Sequence, residues 1–103
     1  MSNKECTIFK VDGWIDQRGL GKRVREIEVT ETDKSFTAKG IRISKDKLLK
    51  IDSKFVETHR SIRYFTYCRD GEQQMALNMI KQHIVDKVKM YKSEIDILSS
   101  YIS

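Results

Sequence analysis

The chain has no proline, two cysteines and five glycines among 103 residues, and each scarcity narrows what it can be. Cys6 and Cys68 stand alone with no CxxC partner. That excludes a disulfide scaffold and the paired spacing of a zinc site, and leaves buried thiols in neighbouring strands as the expectation. No stretch approaches 18 consecutive apolar residues, so no membrane-spanning helix is expected. The opening Met-Ser-Asn-Lys-Glu-Cys lacks a signal-peptide core, which points to the cytoplasm. Internal repeats and low-complexity tracts are also missing. Catalytic signatures are absent as well: there is no HExxH, no GxSxG, no Cys-His pattern and no paired metal-ligand spacing. His59 falls in a polar segment and His83 on a helix flank, while Asp12, Asp16 and Asp52 share no spacing. Gly-Leu-Gly-Lys at 19–22 departs from the GxxxxGK[ST] of a P-loop and precedes no helix. The expectation is a protein without catalysis, metal or cofactor.

What the chain does have is charge and periodicity. Charged residues make up 34% and hydrophobic residues 39%, the balance of a soluble globular protein and not of a disordered one. Its length allows one domain, residues 1–103, divided into a sheet part (1–69) and a helix (70–102). Residues 1–69 hold sixteen Lys and Arg against ten Asp and Glu, whereas residues 70–103 hold four against five. The basic surplus of the sheet part favours anionic partners.

From Asp70 to Ile102 the pattern is that of one long helix. Leu77, Ile80, Ile84, Val88, Tyr91, Ile95, Leu98 and Ile102 recur at a mean of about 3.57 residues, between the straight-helix and coiled-coil periods. Asp70 and Gln73 stand at capping-box positions. Such a helix spans roughly 48 Å, while a domain of this size has a radius of gyration of about 13 Å. The distal seam, Tyr91, Ile95, Leu98 and Ile102, is therefore expected to pack against another copy in a homo-oligomer.

Upstream, Thr7–Ile15 reads as a first strand, 16–22 as a glycine-containing loop, and Arg25–Glu31 as a half-buried strand with Ile27 and Val29 inward. Thr32–Ser35 forms a turn. Phe36 and Ala38 share one parity with Gly40, and Ile41 and Ile43 take the other, which suggests a bulge or bend at Gly40. Ser44 caps a short helical turn, Leu48 and Leu49 close onto the core, and Phe55–Val56 is a short extended piece. Ser61–Arg69 is the last strand. The expected fold is α+β: a strongly bent, small-barrel-like antiparallel meander of four or five strands, then one long C-terminal helix.

Two groups of residues are candidates for ligand binding. Arg18, Lys22, Arg23 and Arg25 crowd the first connection, and arginines in such loops hold phosphates. On the last strand Arg63, Phe65, Tyr67 and Arg69 share a face, alternating guanidinium groups for phosphate with rings for a base. The alternative for Phe65 and Tyr67 is a place in the core.

The segment Glu31-Thr-Asp-Lys-Ser-Phe-Thr-Ala-Lys-Gly-Ile-Arg-Ile-Ser-Lys-Asp-Lys-Leu48 resembles one found in small accessory proteins of phages that infect Gram-positive bacteria. There a short bent sheet ends at Gly-x-Arg-Ile-x-Lys and a Lys- and Glu-rich helix closes the chain. The resemblance spans residues 24–100. It implies a phage or prophage protein acting in the host cytoplasm, and anti-defence proteins of this kind include some that sequester anionic nucleotides as oligomers. Three functions follow as expectations: an oligomeric binder of an anionic nucleotide-type ligand, a nucleic-acid-binding small β-barrel, or an inhibitor that engages a host enzyme.

Overall fold

In the computed structural model, residues 4–16, 18–59 and 61–102 are described. Six strands form one antiparallel sheet: β1 (Lys4–Asp16), β2 (Gly19–Glu31), β3 (Ser35–Ala38), β4 (Ile41–Ser44), β5 (Asp52–Val56) and β6 (Ser61–Arg69). A 3₁₀ turn (Lys45–Lys47) follows β4 and another (Glu57–His59) follows β5, and α1 (Gln73–Ile102) ends the chain. The spatial order is β4-β3-β2-β1-β6-β5. The first four strands form a meander. The chain then crosses to the far edge, and the β5–β6 hairpin returns to β1.

β1 and β2 pair over thirteen consecutive positions, from Lys4 opposite Glu31 to Asp16 opposite Gly19. Residues 19–22, expected in a loop, therefore belong to β2, and the connection is a tight turn with Gly19 at φ 111°. Gly40 holds a second such turn, not a bulge. Ala38 pairs with Ile41, and Gly40 at φ 78° lets the chain reverse in two residues. The change of parity there is the reversal itself, which is why the strand count rises to six.

Opposed residues in an antiparallel pair lie on one face, so the register sorts every side chain. Phe9, Val11 and Gly13 of β1 share a face with Tyr64 and Cys68 of β6, and α1 covers this face with Ala76, Ile80 and Ile84. A Cβ on Gly13 would overlap Ile80 Cγ2, so the missing side chain sets how closely the helix approaches. The opposite face carries Ile8 and Val29, which pack with Phe36 and Ile43. Three strand spacings separate β3 from β6, roughly 14 Å in a flat sheet. Even so, the Arg69 guanidinium carbon lies 5.2 Å from the Phe36 ring centre, and Leu48 bridges to Tyr67. The sheet is thus curled into a half-barrel, with the helix on its convex side and the Phe36 cluster plugging one end of its concave side.

Ser44 caps the first 3₁₀ turn, accepting from the Asp46 amide at 3.3 Å. After it Leu48 joins the Phe36 cluster and Leu49 the helix cluster. Leu49 adopts φ 55° and donates its amide to Tyr67 O at 2.8 Å.

The helix begins at Gln73, three residues later than expected. Its Gln73 side chain accepts from the Gly71 amide at 2.7 Å and donates to Asp70 Oδ1 at 3.1 Å, in place of a direct backbone cap by Asp70. Only the first turns are covered: Ile84 is 2% exposed, Ile95 59% and Leu98 60%. The remainder projects beyond the hairpin end of the sheet, giving extents of 65 × 24 × 21 Å and a radius of gyration of 17.2 Å. Tyr91, Ile95 and Leu98 of the expected seam are all exposed; the Ile102 side chain lies outside the described residues.

Candidate functional site

The concave face divides into a closed end and an open end. At the closed end Glu31 receives Arg69 Nη1 at 3.0 Å and Lys45 Nζ at 2.8 Å, above the Phe36 ring. Those two hydrogen bonds hold the Glu31 carboxyl down at about 2. Arg69 is thereby engaged in closing the half-barrel.

The open end is lined by alternate residues of four strands. β1 supplies Lys10, Asp12 and Trp14; β2 supplies Arg23 and Arg25; β6 supplies Arg63, Phe65 and Tyr67; β5 supplies Lys54 at the rim. Trp14 fits because Gly21 lies opposite it: a Cβ there would overlap the indole. Arg63 stacks its guanidinium on that indole at 4.5 Å from the centroid, and Lys10 Nζ lies 4.6 Å above the Phe65 ring. Phe65 and Tyr67 meet edge to face at 6.2 Å. Rings and cations thus alternate across the sheet as well as along one strand.

Asp12 lies at the centre of this arrangement and is 1% exposed. Arg25 Nη2 approaches Asp12 Oδ2 at 3.8 Å, beyond hydrogen-bond length, and neither Asp12 Oδ2 nor the buried Arg63 Nε has a hydrogen-bond partner. Burial lowers the Lys10 pKa; Asp12 opposes the shift, and Arg25, Lys54 and Arg63 add to it. Burial also raises that of Tyr67, as does Asp12. The open end therefore holds a positive field, with one buried carboxylate keeping the cations together and two buried polar atoms unsatisfied.

The structure brings together five of the eight expected ligand residues: Arg23, Arg25, Arg63, Phe65 and Tyr67. Tyr67 also packs against the Phe36 cluster, so it serves ligand face and core alike. Arg69 shares the face but sits at the closed end. Lys22 lies on the convex face, beside Gln74, Asn78 and Lys81 of α1. Arg18 is exposed in the hairpin turn. Lys10, Trp14 and Lys54 were not singled out by the sequence, and Asp12 stood there only as a carboxylate with no partner at a shared spacing. Their shared parity in β1 was visible, but not the register that sets β1 between β2 and β6.

Among the described residues no group of His, Cys, Asp and Glu is placed to hold a metal, and no helix is long and apolar enough to cross a membrane. Comparison with protein-family models, with curated proteins and with solved structures found no match.

Proposed function

We propose that the open end of the concave face binds an anionic nucleotide-type ligand without turning it over. The observation that carries this reading is the convergence of Lys10, Arg23, Arg25, Lys54 and Arg63 with Trp14, Phe65 and Tyr67 on one curved surface. Guanidinium groups bind phosphate oxygens in a bidentate manner, and aromatic faces stack a base. Asp12, buried beneath the cations, holds them together.

The distal helix is the surface on which copies associate. Val88, Tyr91, Ile95 and Leu98 form an exposed seam at coiled-coil spacing, and the most economical cover for it is the same seam of a second copy. In the setting implied by the phage resemblance, such an oligomer acts in the host cytoplasm as a sponge that withdraws a nucleotide signal of host defence.

A second reading, nucleic-acid binding, is favoured by the openness of the trough towards β2, where no wall stops a polymer. Titration of the purified protein with fluorescently labelled ATP and with single-stranded DNA, over a range of salt, separates the two. ATP binding at a fixed stoichiometry supports the pocket, and Arg63→Ala or Arg23→Ala then weakens it about ten- to a hundredfold. Lys81→Ala, on the helix, leaves it unchanged. A DNA affinity that falls steeply with salt, with no ATP binding, supports the polymer reading. Normal ATP binding by both arginine variants overturns the placement of the site.

A further inference from the structure

Two of the three rings that face the trough already carry a cation. Gly21 and Arg63 are the cross-strand neighbours of Trp14 on its two sides. A Cβ on Gly21 would overlap the indole, and the Arg63 guanidinium stacks on it 4.5 Å from the centroid. A base must displace Arg63 to stack on this indole. Phe65 has Lys10 Nζ 4.6 Å above its ring and meets Tyr67 edge to face. Among the described residues Tyr67 has no cation above it, and it is partly taken up by the Phe36 cluster.

The cations are the opposite case. Lys10, Arg23, Lys54 and Arg63 have no carboxylate at ion-pair distance among the described residues, and Arg25 reaches only the buried Asp12, at 3.8 Å. Asp52, on the same face at the rim, is taken by Lys47 at 3.8 Å. Lys10 stands directly opposite Arg25, and Arg23 lies two residues along β2 from Arg25, roughly 7 Å away. Arg25, Lys54 and Arg63 each act to lower the pKa of Lys10, as crowded like charges do. Phosphates joined through shared oxygens present several negative charges at short intervals, and a guanidinium takes two oxygens of one phosphate. A single phosphate meets one or two of these cations and leaves the others repelling one another.

We infer that the trough selects a chain of linked phosphates by its charge, with Trp14 and Phe65 as positioning residues that hold Arg63 and Lys10 in place. The base of a nucleotide then adds one contact, on Tyr67. This rests on the nucleotide-type reading above and names the part of such a ligand that is recognised.

Calorimetric titration of the full chain with inorganic triphosphate, ATP and AMP, without magnesium, tests the inference. Triphosphate should bind at least about tenfold more tightly than AMP, although AMP has a base and triphosphate has none. Trp14→Leu should weaken triphosphate and ATP by the same factor, about two- to thirtyfold for one cation–π contact, with the melting temperature unchanged. Trp14→Phe, which returns a ring beneath the guanidinium, should recover both. AMP within tenfold of triphosphate, or a Trp14→Leu loss confined to ATP, overturns the inference and leaves the nucleotide reading standing. Wild-type triphosphate binding by Trp14→Leu, or no recovery in Trp14→Phe, also overturns it. Binding of neither triphosphate nor ATP overturns the inference and the nucleotide reading together.

Discussion

Arg69 Nη1 reaches Glu31 Oε1 at 3.0 Å across the intervening strand β1, and this contact, with Lys45, pins the curl of the sheet. The Glu31 carboxyl stands at about 2 in the folded chain against an ordinary value of 4.5. A carboxyl depressed in this way favours the folded state while it is ionised in both states, above about pH 4.5. That contribution declines as pH falls through the window from 4.5 towards 2. Urea denaturation from pH 7 to pH 2 should show the decline. Glu31→Gln should be less stable than wild type at pH 7, and the two stabilities should converge near pH 2. Parallel curves would remove the clamp from the account of the curl.

Gly13 and Gly21 admit large side chains on opposite faces of the β1–β2 hairpin. Gly13→Ala drives a methyl group into Ile80, which is 2% exposed and cannot retreat. The expected loss is about 1–3 kcal/mol in chemical denaturation. Gly21→Ala meets the indole of Trp14, the single tryptophan, so displacement of the ring should appear directly as a shift in tryptophan emission.

The helix should prove unequal along its length. Ile80→Ala removes atoms from the covered part and should cost about 2–5 kcal/mol. The same change at Ile95, 59% exposed, should alter the stability of the monomer by no more than about 0.5 kcal/mol. A large loss at Ile95 at low protein concentration would show that the overhang is covered within one chain.

The two thiols differ in access. Cys68 is fully buried, and burial, with Glu72 nearby, pushes its pKa up; Cys6 is half-buried. A thiol reagent should label Cys6 in the folded protein and Cys68 only after denaturant is added. Labelling of both at equal rates would contradict the packing of the helix on β6.

Local signals were legible in the sequence where local chemistry decides the structure. The strand Ser61–Arg69 has the bounds expected of it, and Ser44 caps its turn, because alternation and side-chain capping are short-range effects. The long helix was equally plain. Register was not, because it is fixed by turns and by distant pairing. Four residues, 19–22, looked like a loop because glycines break their alternation, yet β1 supplies each with a partner. For the same reason Lys10 and Trp14 escaped notice, and Asp12 read as an isolated carboxylate, until β6 was seen to lie beside β1. The apolar seam illustrates another limit. Its spacing is the same at Ile84, which the sheet covers, and at Ile95, which is left exposed, since periodicity marks a face and not its neighbour.

Leu48 and Leu49 are consecutive, yet they enter the apolar clusters on opposite sides of the sheet. They act as a rivet driven past the end of β6 that β5 does not pair with, its shank being the amide of Leu49 bonded to Tyr67. Neither layer can loosen without drawing its leucine, and with it the neighbouring one, out of place. The plugged trough and the helix-covered side should therefore melt as one body, giving a single calorimetric transition from a chain whose two apolar clusters lie on opposite faces of one sheet.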